Sequence, residues 1–350
     1  MAYTYPIESK KMFEDRLSQI LNLGIPHEDL DALQPIIKDM WADAPGGWVY
    51  EWSMLATRYS EKGDHYLSAI AYGWAKFPCL TNKAKSKAMQ LQIEQYLKAA
   101  PKFPVTFERR ILKIPYGKKI VDVAVHLLGG PANRKQSSVL LASGGVDTWK
   151  VDCHPMLLAL TQGTGLTVMA FDMPGTGETE VPLSGAADEI IMGLIREARS
   201  IGNGRVAHFG MSFGANFSAM TGLSGAVDAA INLGGPLDAA FRESNLRSLP
   251  YGMADILGNA FGFDHAPDFE AFSRACVGVS RASHLQMHSN SPMLVINGAD
   301  DYFVPQADTL IFNGRAHTEV HLLPGTGHCA ISKLKEVMPI MINWLRTRML

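Results

Sequence analysis

Two hydrophobic rhythms divide the chain. Over the first hundred residues, apolar side chains recur at helical spacing. Phe13, Leu17, Ile20 and Leu21 fall at i, i+4, i+7 and i+8, and Met89, Ile93, Tyr96 and Leu97 form a similar stripe in a Lys- and Gln-rich stretch. Between them, 41–77 mixes aromatic and small residues, as closely packed helix pairs do, with Pro26, Gly46-Gly47 and Pro78 as punctuation. This predicts a helical region over 1–103 with no internal repeat.

Beyond Pro104 the period changes. Segments 105–114 and 120–128 alternate roughly every second residue around Pro115-Tyr116-Gly117-Lys118, which predicts a hairpin. Short, mostly apolar runs follow at 139–142, 166–171, 206–209, 229–233, 293–296 and 320–323, each leading into a Gly- or Pro-bearing loop. That pattern fits parallel strands covered on both faces. Helical stripes lie between them, such as Ile190, Ile191, Leu194, Ile195 and Ala198, or Leu334, Val337, Met338, Met341 and Leu345. Strand alternating with helix predicts an α/β fold built on a mostly parallel, doubly wound sheet, over 104–235 and 292–350. The interval 236–291, roughly 55 residues, exceeds what one crossover helix needs. It carries Phe241, Leu246, Tyr251, Phe261, Phe263, Phe269 and Phe272, and reads as an inserted helical cap.

Composition narrows the class. Hydrophobic residues make up 47% and charged residues 19%, enough for a sizeable core. Lys and Arg number 32 against 34 Asp and Glu, so no global basic footprint points to nucleic acid or an anionic membrane. The four cysteines form no CxxC pair and are too few for a disulfide framework, which fits a reducing compartment. Residues 1–11 are polar, unlike a secretory leader, and no apolar run reaches the ~18 residues of a membrane span. The expectation is a cytoplasmic protein.

Gly210-Met211-Ser212-Phe213-Gly214 fits G-x-S-x-G, after the 206–209 strand and before a helical segment. The five-residue pattern is common by chance. Its strand–turn–helix setting is what a nucleophile elbow requires. The glycines admit a strained turn that projects the Ser212 hydroxyl and aims the Phe213 N–H at a reacting carbonyl. A serine needs a base, and the base an orienting carboxylate. Gly298-Ala299-Asp300-Asp301-Tyr302-Phe303-Val304-Pro305 offers Asp301, with Asp300 as the fallback. Pro324-Gly325-Thr326-Gly327-His328 offers His328. His317 and His321 lie on no comparable loop and read as structural or surface residues. Ser143-Gly144-Gly145-Val146-Asp147 follows the 139–142 strand, and the N–H of Val146 or Gly145 is the candidate oxyanion partner of Phe213. No HExxH, P-loop or zinc spacing is present, and Gly202-Asn203-Gly204 precedes a strand, whereas a dinucleotide-binding loop follows one.

Taken together, Gly144-Gly145-Val146-Asp147-Thr148-Trp149-Lys150, Asp172-Met173-Pro174-Gly175-Thr176-Gly177-Glu178, the elbow and the Asp301 and His328 loops resemble one branch of the α/β-hydrolase superfamily. That branch holds the polyketide-shortening hydrolases of fungal pigment synthesis, 2,6-dihydroxypseudooxynicotine hydrolase and the FrsA-like esterases. The resemblance implies a helical N-terminal region, a hydrolase core, a helical insertion and a triad of Ser212, Asp301 and His328.

The expected activity is cofactor-free serine hydrolysis of a small-molecule substrate. Because the branch includes C–C hydrolases, cleavage next to a ketone in an aromatic or polyketide-like compound ranks first. Ester, thioester or acyl-transfer chemistry follows, and a hydrolase fold kept for regulation comes last. Phe261 and Phe263 are the candidate aromatic contacts of the cap, with Arg242 and Glu243 as polar handles. No metal or cofactor is expected, and a homodimer is left open. A free imidazole beside a carboxylate sets the acid limb of activity at about pH 6–7.

Overall fold

The computed structural model describes residues 3–130 and 134–350. Two compact units emerge: Met1–Pro104 with Tyr251–Pro267, and Val105–Pro250 with Asp268–Leu350. Of the inserted stretch 236–291, residues 251–267 therefore group with the first unit and the remainder with the second.

The first unit is helical. Helices span Ser9–Asn22, His27–Leu33, Trp48–Glu61, His65–Lys76, Lys83–Ala99 and Met253–Ala260. Phe13, Trp48, Trp52, Trp74 and Phe77 pack in its core, Phe13 stacked on Trp52 and edge-on to Trp48, the other pairs tilted. Asp64 and Asn82 cap two of the helices by accepting from the N–H groups of Leu67 and Lys85. The Phe13 stripe lies inward as its spacing predicts, but of the Met89 stripe only Tyr96 is buried. The buried line of that helix is Lys85, Ala88, Gln92, Gln95, Tyr96 and Ala99, and Leu97 is exposed. The reason lies in the neighbouring helix, whose last carbonyls need donors. The Lys85 ammonium supplies them, donating to the carbonyls of Phe77 and Ala75 beneath the Trp41 ring. Burial pushes its pKa down to about 7. Asn259 and the backbone of Tyr3 exchange two hydrogen bonds, at 3.0 and 3.2 Å, which fastens the Tyr251–Pro267 segment to the start of the chain.

The second unit is built on eight strands: β1 (Phe107–Tyr116), β2 (Lys119–Leu128), β3 (Val139–Ser143), β4 (Thr167–Phe171), β5 (Val206–Met211), β6 (Ala229–Leu233), β7 (Met293–Gly298) and β8 (Thr318–Leu323). Their order across the sheet is β1-β2-β4-β3-β5-β6-β7-β8. β2 runs antiparallel to both neighbours, and every pair from β4 to β8 is parallel. The expected hairpin forms with a tighter turn, since Tyr116 already pairs with Lys119. Leu140, Ala142, Phe209, Met211, Ile231, Leu233, Leu294 and Ile296 face one side, where the helices His154–Thr164 and Leu334–Met349 cover them. Asp188–Ile201 and Gly214–Leu223 lie against the other side, the latter so close that Gly222 abuts Ala230 and Met293. The runs on β3 to β7 are buried throughout because both faces are covered, whereas β8, at the edge of the sheet, is only partly buried. Among the described residues no helix is long and apolar enough to cross a membrane.

One carboxylate secures the chain where it leaves β6. Asp308, on the short helix Gln306–Leu310, is buried and accepts four backbone hydrogen bonds of 2.8–3.0 Å, from Leu237, Asp238, Ala239 and Ala240. Asp308→Ala would leave those N–H groups buried without acceptors, and the expected loss is on the order of 3 kcal/mol. Urea unfolding followed by circular dichroism checks this. A loss below about 1 kcal/mol, the typical net worth of a single hydrogen bond, would show that the loop holds itself.

Candidate active site

Five loops converge at the C-terminal ends of parallel strands, where open α/β sheets gather their functional groups. They follow β3, β4, β5, β7 and β8. The loop after β5 is the elbow. Ser212 sits at φ +55°, in the left-handed region that non-glycine residues avoid. Its N–H donates to the carbonyl of Leu233 at 2.8 Å, and its carbonyl accepts from Ala215 at 2.9 Å. The flanking glycines are there for room. A Cβ on Gly210 would lie 2.2 Å from the Gly214 carbonyl oxygen, and one on Gly214 would lie 2.2 Å from that of Gly144.

The Ser212 hydroxyl lies 2.8 Å from Nε2 of His328, and Nδ1 of His328 lies 2.7 Å from Oδ2 of Asp301. A carboxylate only accepts, so Nδ1 carries the proton and Nε2 is free to accept from the serine. The Asp301 side chain is fully buried, and its other oxygen accepts from the N–H groups of Phe303 and Val304 at 2.8 and 3.1 Å. Burial works against its charge, but His328, the Asn297 amide and the Val304 N–H outweigh burial and hold its pKa below the usual carboxylate range. For His328, burial disfavours the charged ring. The adjoining Cys329 and the Asp301 carboxylate outweigh it, so the imidazole titrates well above the ordinary histidine value. Asp300 is exposed and uses its backbone N–H on the Thr326 carbonyl.

Sequence spacing missed several supports of this line. Asn297, the polar residue near the end of β7, donates to Asp301 Oδ2 at 2.9 Å and accepts from the Cys329 N–H at 3.0 Å. Cys329 and Ala330 have φ of +55° and +49°, a kink directly after His328. A second network joins the two branch-specific motifs. Lys150 Nζ lies 2.5 Å from Asp172 and 2.7 Å from Glu178, while its N–H donates to Asp172 at 2.8 Å. Burial pulls the Lys150 pKa down, but the two carboxylates raise it above the ordinary lysine value. A third network links the elbow helix to the end of the inserted stretch. Arg281, buried, donates to Asn216 and to both oxygens of Asp188, each at 2.7 Å. Charged residues at the ends of apolar runs were the available signal, but spacing alone does not pair them.

Gly145 adjoins Ser212: a Cβ there would meet the Ser212 Cβ and Oγ at 2.8 Å and the Phe213 nitrogen at 3.6 Å. Val146 follows, buried, its carbonyl accepting from the Trp149 indole at 3.1 Å. Arg242 and Glu243 are exposed, each paired one turn away, with Asp238 and Arg247. Phe261 and Phe263 are half-buried residues of the first unit. His317 is exposed, and His321 pairs with Glu319. Among the described residues, no group of three or more His, Cys, Asp or Glu is arranged to hold a metal ion.

Comparison with known proteins agrees with this architecture. Esterase FrsA of Photobacterium profundum is 23% identical over 240 residues, covering 62% of this chain and 56% of that protein. The chain thus spans a little over half the length of the curated relatives it matches. Among solved structures, AbyA5 superposes with a TM-score of 0.80 at 17% identity, covering 95% of this chain and 94% of its own. The 2,6-dihydroxy-pseudo-oxynicotine hydrolase gives a TM-score of 0.75 at 18% identity, covering 95% and 96%. The family model described as "Esterase FrsA-like" matches residues 33–350, nearly the whole sheet-and-helix architecture set out above, and the chain belongs to this FrsA-like esterase family of α/β-hydrolases.

Proposed function

We propose that the protein is a cofactor-free serine hydrolase acting on a small acyl compound. The observation that carries this reading is the continuous hydrogen-bonded line from Asp301 through His328 to a strained, elbow-mounted Ser212. Ser212 Oγ attacks the substrate carbonyl as Nε2 of His328 takes its proton. Asp301 holds the ring in the productive tautomer and balances the imidazolium that forms. The N–H groups of Phe213 and of Gly145 or Val146 receive the developing oxyanion. The tetrahedral intermediate collapses, and His328 returns the proton to the departing group. A water then attacks the acyl-serine by the same route in reverse.

The departing group defines the reaction. An ester leaves as an alkoxide that His328 protonates. A C–C bond leaves as a carbanion, which requires a ketone or an electron-rich ring to stabilise it. We put C–C cleavage next to an aryl ketone first. One neighbour that matches 95% of this chain, helical unit included, is a hydrolase of 2,6-dihydroxy-pseudo-oxynicotine, by its name an aromatic compound. Ester hydrolysis is the second reading, favoured by the description of the matching family. A side-by-side assay of 1-phenyl-1,3-butanedione and p-nitrophenyl acetate separates them. Benzoate or acetate released from the diketone, in a Ser212-dependent manner, is the expected result. Turnover of the ester alone would leave the second reading.

Ser212→Ala is expected to lose on the order of 10⁶ in kcat with the fold intact by circular dichroism. Asp301→Asn is expected to lose roughly 10⁴, because the imidazole then sits in the wrong tautomer, whereas Asp300→Asn stays near wild type. The reverse ranking would move the acid to Asp300.

The pH dependence follows from His328. The ring must be neutral to accept the serine proton. A pKa raised above the ordinary value therefore keeps it charged, and inactive, to a higher pH. The acid limb of kcat/KM should lie above the usual histidine value of about 6.5, higher than an unburdened imidazole would give. Asp301→Asn removes the raising charge and should bring the limb down. A limb below about pH 6 in the unsubstituted protein would contradict this electrostatic account.

A further inference from the structure

Asn297 stands one residue before Gly298, at the end of a strand that is otherwise apolar. Its side chain is fully buried, where an unsatisfied amide is costly, and each half of it is used. Nδ2 donates to Asp301 Oδ2 at 2.9 Å, the same oxygen that accepts from His328 Nδ1–H. Oδ1 accepts from the N–H of Cys329 at 3.0 Å. The orientation of the amide is forced. Reversed, it would set oxygen against carboxylate and N–H₂ against N–H. One side chain thus grips the acid from one side and the residue after the base from the other.

The bond to Cys329 falls where the chain most needs holding. Cys329 and Ala330 both occupy left-handed backbone, a conformation that persists only when its surroundings over-determine it. The Cys329 thiol also donates to the Leu233 carbonyl at 3.3 Å, and the Ala330 N–H donates to Gly327 at 2.9 Å. The kink turns His328 back toward Ser212.

Resting on the serine-hydrolase reading above, we propose that Asn297 is a positioning residue. It couples the Asp301 carboxylate to the His328 loop and fixes both the aim and the basicity of the imidazole. His328 is faced by Ser212 from the elbow, by Asp301 and the Phe303 ring edge from the acid loop, and by Cys329 from its own loop. Among the described residues, the titratable groups acting on His328 are Asp301 and Cys329, and the one acting on Asp301 is His328. A charge introduced at position 297 would be a new neighbour to a small set.

Two near-isosteric variants of the full chain test this. Asn297→Asp keeps an acceptor for Cys329 but replaces the donor to Asp301 with a carboxylate. Asn297→Leu removes both interactions. The readouts are kcat and KM with p-nitrophenyl acetate, the rate of Ser212 labelling by a fluorophosphonate across pH, and thermal unfolding. Asn297→Asp should move the acid limb of labelling upward by about one pH unit or more, because a second negative charge favours the imidazolium. Asn297→Leu should lower kcat roughly 10- to 100-fold with KM nearly unchanged, as a small misalignment of a catalytic base does. Folded variants that keep the wild-type limb and a kcat within about threefold would assign Asn297 a purely structural role and overturn the proposal. Should Asn297→Leu fail to fold, Asn297→Asp decides by the same criterion. A wild-type chain that the fluorophosphonate never labels at Ser212 would instead overturn the hydrolase reading, and the proposal with it.

Discussion

The strand-end cluster of this molecule depends on one buried carboxylate that, among the described residues, is held by an imidazole and by neutral donors. Asp301 is sealed from water, and an isolated carboxylate in that position would take up a proton. It is kept ionised by four directed donors: two backbone N–H groups, the Asn297 amide and the His328 imidazole. Supplying them requires the loops after β7 and β8 to lie nearly in contact. They do so because Gly298 has no side chain: a Cβ there would fall 2.1 Å from the Gly327 carbonyl oxygen. The electrostatic need of one oxygen pair thereby dictates a backbone packing.

Strain concentrates in the same place. Of the five non-glycine residues with positive φ among the described residues, Ser212, Cys329 and Ala330 belong to the site, and each such residue costs of order 1–3 kcal/mol. The frame that tolerates this is buried and hydrogen-bonded across its elements. The elbow helix is buried along its whole length, and Asn216 on it donates to the carbonyls of Pro236 and Val279, while Arg281 reaches back to Asn216 and Asp188. Asp308 gathers the backbone after β6. Strained turns between such anchors relax little, which suits groups that must stay within hydrogen-bond reach of one another.

Much of this was legible in the chain. The six runs mark β3 to β8 to within a few residues, because strands covered on both faces, as β3 to β7 are, read as nearly continuous hydrophobic stretches, with the partly buried edge strand β8 as the exception. Ser212, Asp301 and His328 stand out because each follows such a run in a glycine-bearing loop. Other features were illegible for physical reasons. The helix Lys83–Ala99 buries Lys85, Gln92 and Gln95, since carbonyls of a neighbouring helix and His65 supply partners, and hydrophobic periodicity cannot register a polar face with partners. Asn297, Asp308 and Arg281 act across separations of 4 to 93 residues, and nothing in local pattern pairs them. Division of the 236–291 stretch between two units depends on which surfaces match in three dimensions, to which composition is blind.

The Lys150 network explains why two further motifs accompany the hydrogen-bonded line of Asp301, His328 and Ser212. Burying an ammonium against two carboxylates gains little stability by itself, because desolvation cancels most of the attraction, and well-packed apolar residues would serve as well. What charge provides here is direction. Lys150 closes the Gly144–Lys150 loop with both its backbone N–H and its side chain on Asp172, while Asp172 also accepts from the Glu178 N–H at 2.9 Å and Glu178 pairs with Arg109. The loop after β3 is thereby locked to the loop after β4. Gly144 is in turn locked to Gly214 by backbone contact, and Gly145 to Ser212. An oxyanion donor is effective only if it stands in place before the charge develops. An apolar core would fill this space equally well, but it would not fix the loop's rotation about the strand end.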